Sequence, residues 1–232
     1  MYSQTKGIVL SSVKYSESSI ICRVYTAKLG LQSYIVNGVR KKKGGSAYYQ
    51  PLNILDLTVY HKNNKQLQRI KEVKAPTAYS SIPFHVLKSS VALFLTEVLS
   101  KCLKEEEENQ DLYLFLENSL IEFDKSDFDS QFHIRFLIAL SGYLGFYPNM
   151  ENANLPYFDL MNGCFSRDKN EHKHYISNTT EFVSALNLEP IHNKKRILEY
   201  ILEYYQLHID GFGSIKSKDV LESVLNVWKN IT

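Results

Sequence analysis

Five runs of β-branched and aromatic residues crowd the start of the chain: KGIVLSSVKY (6–15), SIICRVYT (19–26), LQSYIVNG (31–38), LNILDLTVYH (52–61) and QLQRIKEV (66–73). Turn residues separate them, so each reads as a strand. In the second run Ile20, Cys22 and Val24 alternate with Ile21, Arg23 and Tyr25; in the fourth, Leu55, Leu57 and Val59 alternate with Asp56, Thr58 and Tyr60. Successive side chains of a strand point to opposite faces, which predicts a sheet with one buried face and one wet, polar-aromatic face. Five short strands packed this closely in sequence cannot leave long edges unpaired. A small closed barrel solves the problem most economically, and a five-stranded OB-fold meets that description.

Pro76 marks the exit from this region, and the apolar period then changes. Val91, Phe94, Leu95, Val98, Leu99 and Cys102 recur at spacings of three and four, the signature of a helix with one buried stripe. A second helix starts near 109. A third follows in SQFHIRFLIALSGYLGF, with Ser130 or Asp129 as N-cap and Gly145 as its stop. Three more are expected: Thr180 to Leu188, Asn193 to Ile209 stopped by Gly211, and Asp219 to Lys229 capped by Ser217. Between them, residues 147–177 contain Pro148, Pro156 and Gly163 and read as irregular. The expected organisation is therefore an OB-fold domain over 1–78 and an all-α domain over 79–232.

The charge divides at the same place. Residues 1–80 carry 13 Lys and Arg against 3 Asp and Glu, a net of +10, while the remainder nets −8, leaving +2 for the whole chain. A basic barrel beside an acidic helical part points to a polyanion as partner of the first. Arg40, Lys41, Lys42 and Lys43 run straight into two glycines, and Lys14, Arg23, Lys28, Arg69, Lys71 and Lys74 share the segment with Tyr15, Tyr25, Tyr34, Tyr48, Tyr49 and Tyr60. Cations that track phosphates and rings that stack on bases are the two parts of single-strand recognition. Lys14, Arg23, Arg40–Lys43, Arg69 and Lys71 are the candidate contacts.

Chemistry finds less support. RKKKGGS is not a phosphate-binding P-loop, and GFGS at 211–214 follows a helix, not a strand. Cys22 and Cys102 continue apolar stripes, and three widely spaced cysteines (Cys22, Cys102, Cys164) build no disulfide framework. Cys164 with His172 and His174 is the one candidate metal cluster, and polar-loop histidines account for it as well. No apolar run of about 18 residues is present, and no signal sequence is evident. The expectation is a cytoplasmic binding protein without membrane contact and not an enzyme.

Several segments taken together resemble a known family. GIVL, YSESSIICRVYTAKLGLQSYIVNGVRKKK, QPLNILDLTVY, LQRIKE, LFLTEVLSKCL, RFLIALSGYLGFYP and IKSKDVLESVL follow in order the pattern of RecO, the bacterial recombination mediator of DNA repair. The resemblance implies an N-terminal OB-fold that binds single- and double-stranded DNA, followed by a helical domain. It also implies annealing of complementary strands, nucleoid association, and work with RecR, sometimes RecF, to place RecA on DNA coated by single-strand binding protein. Many members carry a four-cysteine zinc module where this chain has Cys164 alone in the 147–177 loop. The departure implies that the zinc is lost, no cofactor remains, and Phe158, Phe165 and Tyr175 pack where a metal would have pinned the loop.

Binding the acidic tail of single-strand binding protein requires a positive spot within the acidic part of the chain. Arg135, flanked by Phe132, Ile138 and Ala139, is one candidate; Lys194, Lys195 and Arg196 are another. The competing reading is an RNA- or ribosome-associated module, because OB-folds serve RNA equally well.

Overall fold

A computed structural model of the chain describes residues 2–39, 45–62, 65–169 and 171–229. Its strands are β1 (Tyr2–Lys14), β2 (Ile20–Thr26), β3 (Gly30–Val36), β4 (Ile54–Tyr60), β5 (Leu67–Lys74), β6 (Tyr157–Asp159), β7 (Cys164–Ser166) and β8 (Tyr175–Ile176). The helices are α1 (Val86–Cys102), α2 (Gln110–Lys125), α3 (Phe132–Tyr143), α4 (Thr180–Leu186), α5 (Lys194–His208) and α6 (Ser217–Lys229). They form two compact units, 1–128 with 215–232, and 129–214.

In the first unit, β1 to β5 close into a barrel in the order β1-β2-β3-β5-β4, with only β3 and β5 parallel. This is the expected OB-fold. Closure depends on the 13 residues of β1, whose first part pairs with β4 and whose second part pairs with β2. The strand begins at Tyr2, earlier than its apolar run, because backbone pairing with β4 rather than side-chain pattern holds that end. Val9, Cys22, Val24, Leu55, Leu57 and Val59 fill the interior together with Tyr34 and Tyr49.

The outer face differs from the uniformly wet surface that alternation predicts. Register sets Ile8, Tyr25 and Leu31 side by side on the outside, yet they are 0%, 2% and 6% exposed. The cause is tertiary: α1 packs on β1, and the connection after it lies along β3, where Glu105 O accepts from Leu31 N at 2.9 Å. Gly30 makes that approach possible. Its φ is +58°, and a Cβ there would sit 2.4 Å from Glu107 O and 2.5 Å from Glu105 O.

All six residues of the predicted α1 stripe, Val91 to Cys102, are buried. Asn109 caps α2 by accepting from Leu112 N, and α6 returns across more than a hundred residues to pack on α1. Ser217 opens α6 as its first residue, and its hydroxyl donates to Glu97 Oε2 at 2.6 Å rather than capping the helix.

The second unit holds α3, α4 and α5 around a small sheet of order β7-β6-β8. These strands lie within the stretch expected to be irregular. They are two or three residues long, too short for alternation to register, and cohere because Phe158, Phe165 and Ile176 share one face. Phe158 meets Phe165 at 4.9 Å between ring centroids and Phe182 at 4.8 Å. The start of α3 also differs from expectation. Gln131 occupies the N-cap position without a side-chain cap, since its Oε1 accepts from Ile191 N, while Asp129 Oδ1 accepts from Gln131 N and Ser130 Oγ from Lys194 Nζ.

Candidate nucleic-acid interface

With α1 packed on β1 and the following connection along β3, the exposed positions on this side of the barrel lie on β5 and at the outer end of β4. Arg69 lies opposite Ile35 of β3 and Tyr60 of β4. Thr58 pairs with Glu72 and Val59 with Ile70, so Lys71 is the extra residue of a β-bulge. Arg69 and Lys71 line one hollow of about 300 Å³ with Asn37, Val39, Gly45 and Tyr48. Arg69 also lines a second, of about 380 Å³, with Tyr60, Lys62 and Lys65. The ion pair of Lys71 with Glu72, 3.6 Å long between exposed side chains, contributes little and leaves the ammonium accessible.

The β4–β5 connection that carries Lys62 and Lys65 is pinned from inside. Gln68 is 3% exposed, and its amide donates to Lys62 O and Lys65 O at 2.7 Å each while accepting from Lys62 N at 3.1 Å. Three bonds to backbone hold Lys62 and Lys65 in place and leave both side chains on the surface. At the neighbouring edge Tyr2 and Tyr60 are direct cross-strand partners with ring centroids 4.5 Å apart and hydroxyls 2.7 Å apart, and Lys71 Nζ stands 4.4 Å from the Tyr2 centroid.

The sequence candidates fall into three groups. Arg69 and Lys71 come together in the hollows just described. Arg23 shares their outer face, separated by β3 and hence by about 10 Å of sheet; Lys14 is exposed where β1 ends opposite Ile20. Arg40, Lys41, Lys42 and Lys43 lie outside the described residues, and of the residues flanking that stretch Val39 and Gly45 both line the Lys71 hollow. Lys28 and Lys74 face elsewhere, into a groove shared with Asp56, Glu72 and the Lys6–Glu117 ion pair.

Of the six tyrosines read as stacking candidates, Tyr15, Tyr48 and Tyr60 are exposed, but Tyr25, Tyr34 and Tyr49 are 2%, 0% and 2% exposed and belong to the core. Burial drives all three phenols upward, that of Tyr25 to about 12. Sequence reasoning missed Tyr2, Lys62, Lys65 and Gln68. Two lone cations between adjacent strand runs were the available signal; nothing marked Gln68.

In the second unit, Arg135 pairs with Asp129, and Lys194 reaches Ser130 at 2.6 Å. The two candidate positive spots thus meet on one short segment, from α3 and from α5. Arg196 stacks over the Tyr200 ring at 4.6 Å and faces Glu199, and Lys195 is exposed beside it.

Cys164 stands in β7 opposite Asp159. Burial alone would raise the Asp159 carboxyl, but donation from Asn162, Tyr175 and Met161 holds it below its ordinary value. His172 stacks on Tyr175 at 4.5 Å, and His174 Nδ1 lies 2.6 Å from Glu203 Oε1. Among the described residues no group of three or more His, Cys, Asp or Glu side chains is placed to hold a metal ion. None of the described helices is long and apolar enough to cross a membrane.

Comparison with known proteins adds an independent line. Residues 1–79 match the family model described as Recombination protein O N terminal, and residues 84–219 match Recombination protein O C terminal. The DNA repair protein RecO of Flavobacterium psychrophilum is 37% identical over 243 residues, covering 97% of this chain and 100% of that protein. Those of Flavobacterium johnsoniae and Bacteroides fragilis are 34% and 35% identical at the same coverage. With an OB-fold barrel, a helical remainder and matches along nearly its full length, the chain belongs to the RecO family of DNA repair proteins.

Proposed function

We propose that the chain is a recombination mediator that binds single- and double-stranded DNA through the open side of its barrel and anneals complementary strands. With RecR, and sometimes RecF, it helps place RecA on DNA coated by single-strand binding protein. The observation that carries this reading is the convergence of Lys62, Lys65, Arg69 and Lys71 with Tyr48 and Tyr60 on one side of the barrel. Arg23 and Lys14 are assigned to the same DNA contact, and the Arg40–Lys43 run, outside the described residues, joins them on its charge and place in the sequence alone. Annealing brings together two strands of like charge, so the protein must neutralise phosphates without gripping bases too tightly to pair. Exposed cations on one side of the closed barrel suit that role, with residues 1–78 holding DNA and 79–232 meeting partners in the cytoplasm and at the nucleoid. The protein works as a binder, without turnover chemistry.

With about five phosphate contacts on a single strand, a fourfold rise in salt weakens binding roughly a hundredfold. Fluorescence anisotropy across a salt series measures that slope. A flat response overturns the reading, and tighter binding to a matched RNA redirects it toward an RNA partner.

Arg135 with Lys194, Lys195 and Arg196 is proposed to receive the acidic tail of single-strand binding protein, with the tail carboxylates displacing Asp129 from Arg135. Arg135→Ala then lowers affinity for a tail peptide about tenfold, as expected for losing one charge-assisted contact. Unchanged binding in a titration assigns Arg135 to its ion pair alone. The 147–177 stretch serves without zinc, held by the Phe158–Phe165–Phe182 rings and the Asp159 hydrogen bonds.

A further inference from the structure

We infer that the Tyr2–Tyr60 pair is a base-stacking platform that makes the barrel prefer single strands to duplex; the inference rests on the proposed DNA-binding role of the same surface. Tyr2 and Tyr60 are 54% and 41% exposed although they sit directly opposite one another in the β1–β4 ladder. Their rings are tilted at 45°, with the hydroxyls tied together at 2.7 Å. That bond and the paired backbone of both strands fix the rings before any ligand arrives, so little ordering is lost on binding. Cations from β5 stand beside the pair. Lys71 Nζ stands 4.4 Å from the Tyr2 centroid, put there by the β5 bulge, and Arg69 is the cross-strand neighbour of Tyr60. Lys62 and Lys65 line the hollow that Tyr60 shares with Arg69.

Rings and cations together define the ligand class: a nucleotide with an accessible base face and a phosphate on either side. Every base has such a face, so recognition is tolerant of sequence. In duplex the faces are covered by neighbouring pairs, and only the phosphates remain for the protein to hold. The rings therefore add affinity to single strands alone, while Lys62, Lys65, Arg69 and Lys71 act on both forms. A consequence for annealing follows. When a held strand finds its complement, its bases leave the rings, the stacking share of the affinity disappears, and the duplex is retained only by salt-sensitive contacts.

The test is anisotropy titration of the full chain with a labelled oligothymidylate, a duplex of equal length, and an abasic oligomer of the same backbone. Tyr2→Ala with Tyr60→Ala is expected to weaken oligothymidylate binding about tenfold or more, leave duplex affinity within about twofold, and leave the salt slope unchanged. Tyr2→Phe with Tyr60→Phe keeps most of the single-strand affinity, because the rings remain and only the hydroxyl contact is lost. The abasic oligomer binds wild type and the Ala variant alike. Equal losses for both DNA forms would reassign the rings to holding β1 on β4, and no loss for either would remove them from binding; each overturns the platform. Wild-type protein that binds neither form overturns the DNA-binding reading itself, a result distinct from both.

Discussion

Replacing Lys62, Lys65, Arg69 and Lys71 together by Ala will cost roughly a hundredfold in single-strand affinity near 0.1 M salt and will remove about 2–3 from the slope of log affinity against log salt, at about 0.7 per lost phosphate contact. Duplex binding falls as well, since these cations reach phosphates in either form. All four side chains are exposed, so folding stability should change by no more than about 0.5 kcal/mol for each, and a thermal melt checks it. Lys28→Ala with Lys74→Ala is the informative contrast. Those ammonium groups share a groove with Asp56, Glu72 and Glu117, where a phosphate would meet carboxylates, and their removal should shift the slope far less. If the two sets behave alike, the interface is not where the barrel leaves its surface open.

That contrast also measures what the sequence could reveal. Lys28 and Lys74 share residue type and segment with the candidate contacts Arg69 and Lys71, and it is the barrel register that gives the physical reason to set them apart. The five strands were legible because each is short, apolar on one face and bounded by turn residues, and the α1 stripe because its spacing is helical. Alternation gave the inner face correctly but misread Tyr25, since a strand pattern cannot show that a helix will cover the outside. Tyr34 and Tyr49 misled for a related reason: a phenol in a basic segment looks like a stacking ring, yet both fill the barrel interior.

Pairings distant in sequence stayed hidden. Helical period identifies the apolar face of α6 without naming α1 as the partner, and the Glu97 bonds to Lys216 N and Ser217 N cross more than a hundred residues. The Arg135–Asp129 pair also escaped helical spacing, because Asp129 precedes the helix that carries Arg135. Lys62 and Lys65 owe their place to Gln68, a buried amide with no charge or pattern to mark it.

The segment leaving the barrel is held by one carboxylate, and its removal should be strongly destabilising. Asp124, at the end of α2 and 6% exposed, accepts from the backbone N–H of Ser80, Ser81 and Ile82 at 2.8, 2.8 and 2.9 Å and from Ser80 Oγ at 2.9 Å. Lys88 on α1, 3% exposed, completes the junction by donating to Asp124 O at 3.0 Å. Asp124→Ala strands three backbone donors and costs about 3–4 kcal/mol; for a chain of this size that lowers the melting temperature by roughly 6–15 °C. Burial works against the charged carboxylate, but the bonds from Ile82, Ser80 and Ser81 outweigh it and hold the pKa at about 2, below the ordinary 3.8. Because the folded value is the lower one, the contribution is fully present above about pH 4 and is lost as pH falls through 2. A shift of that size corresponds to roughly 2 kcal/mol. Asp124→Asn removes this titration while keeping one acceptor, so the stability difference from wild type should narrow between pH 4 and pH 2 in denaturant titrations. Parallel curves over that interval would mean that the carboxylate does not hold the junction as its geometry indicates.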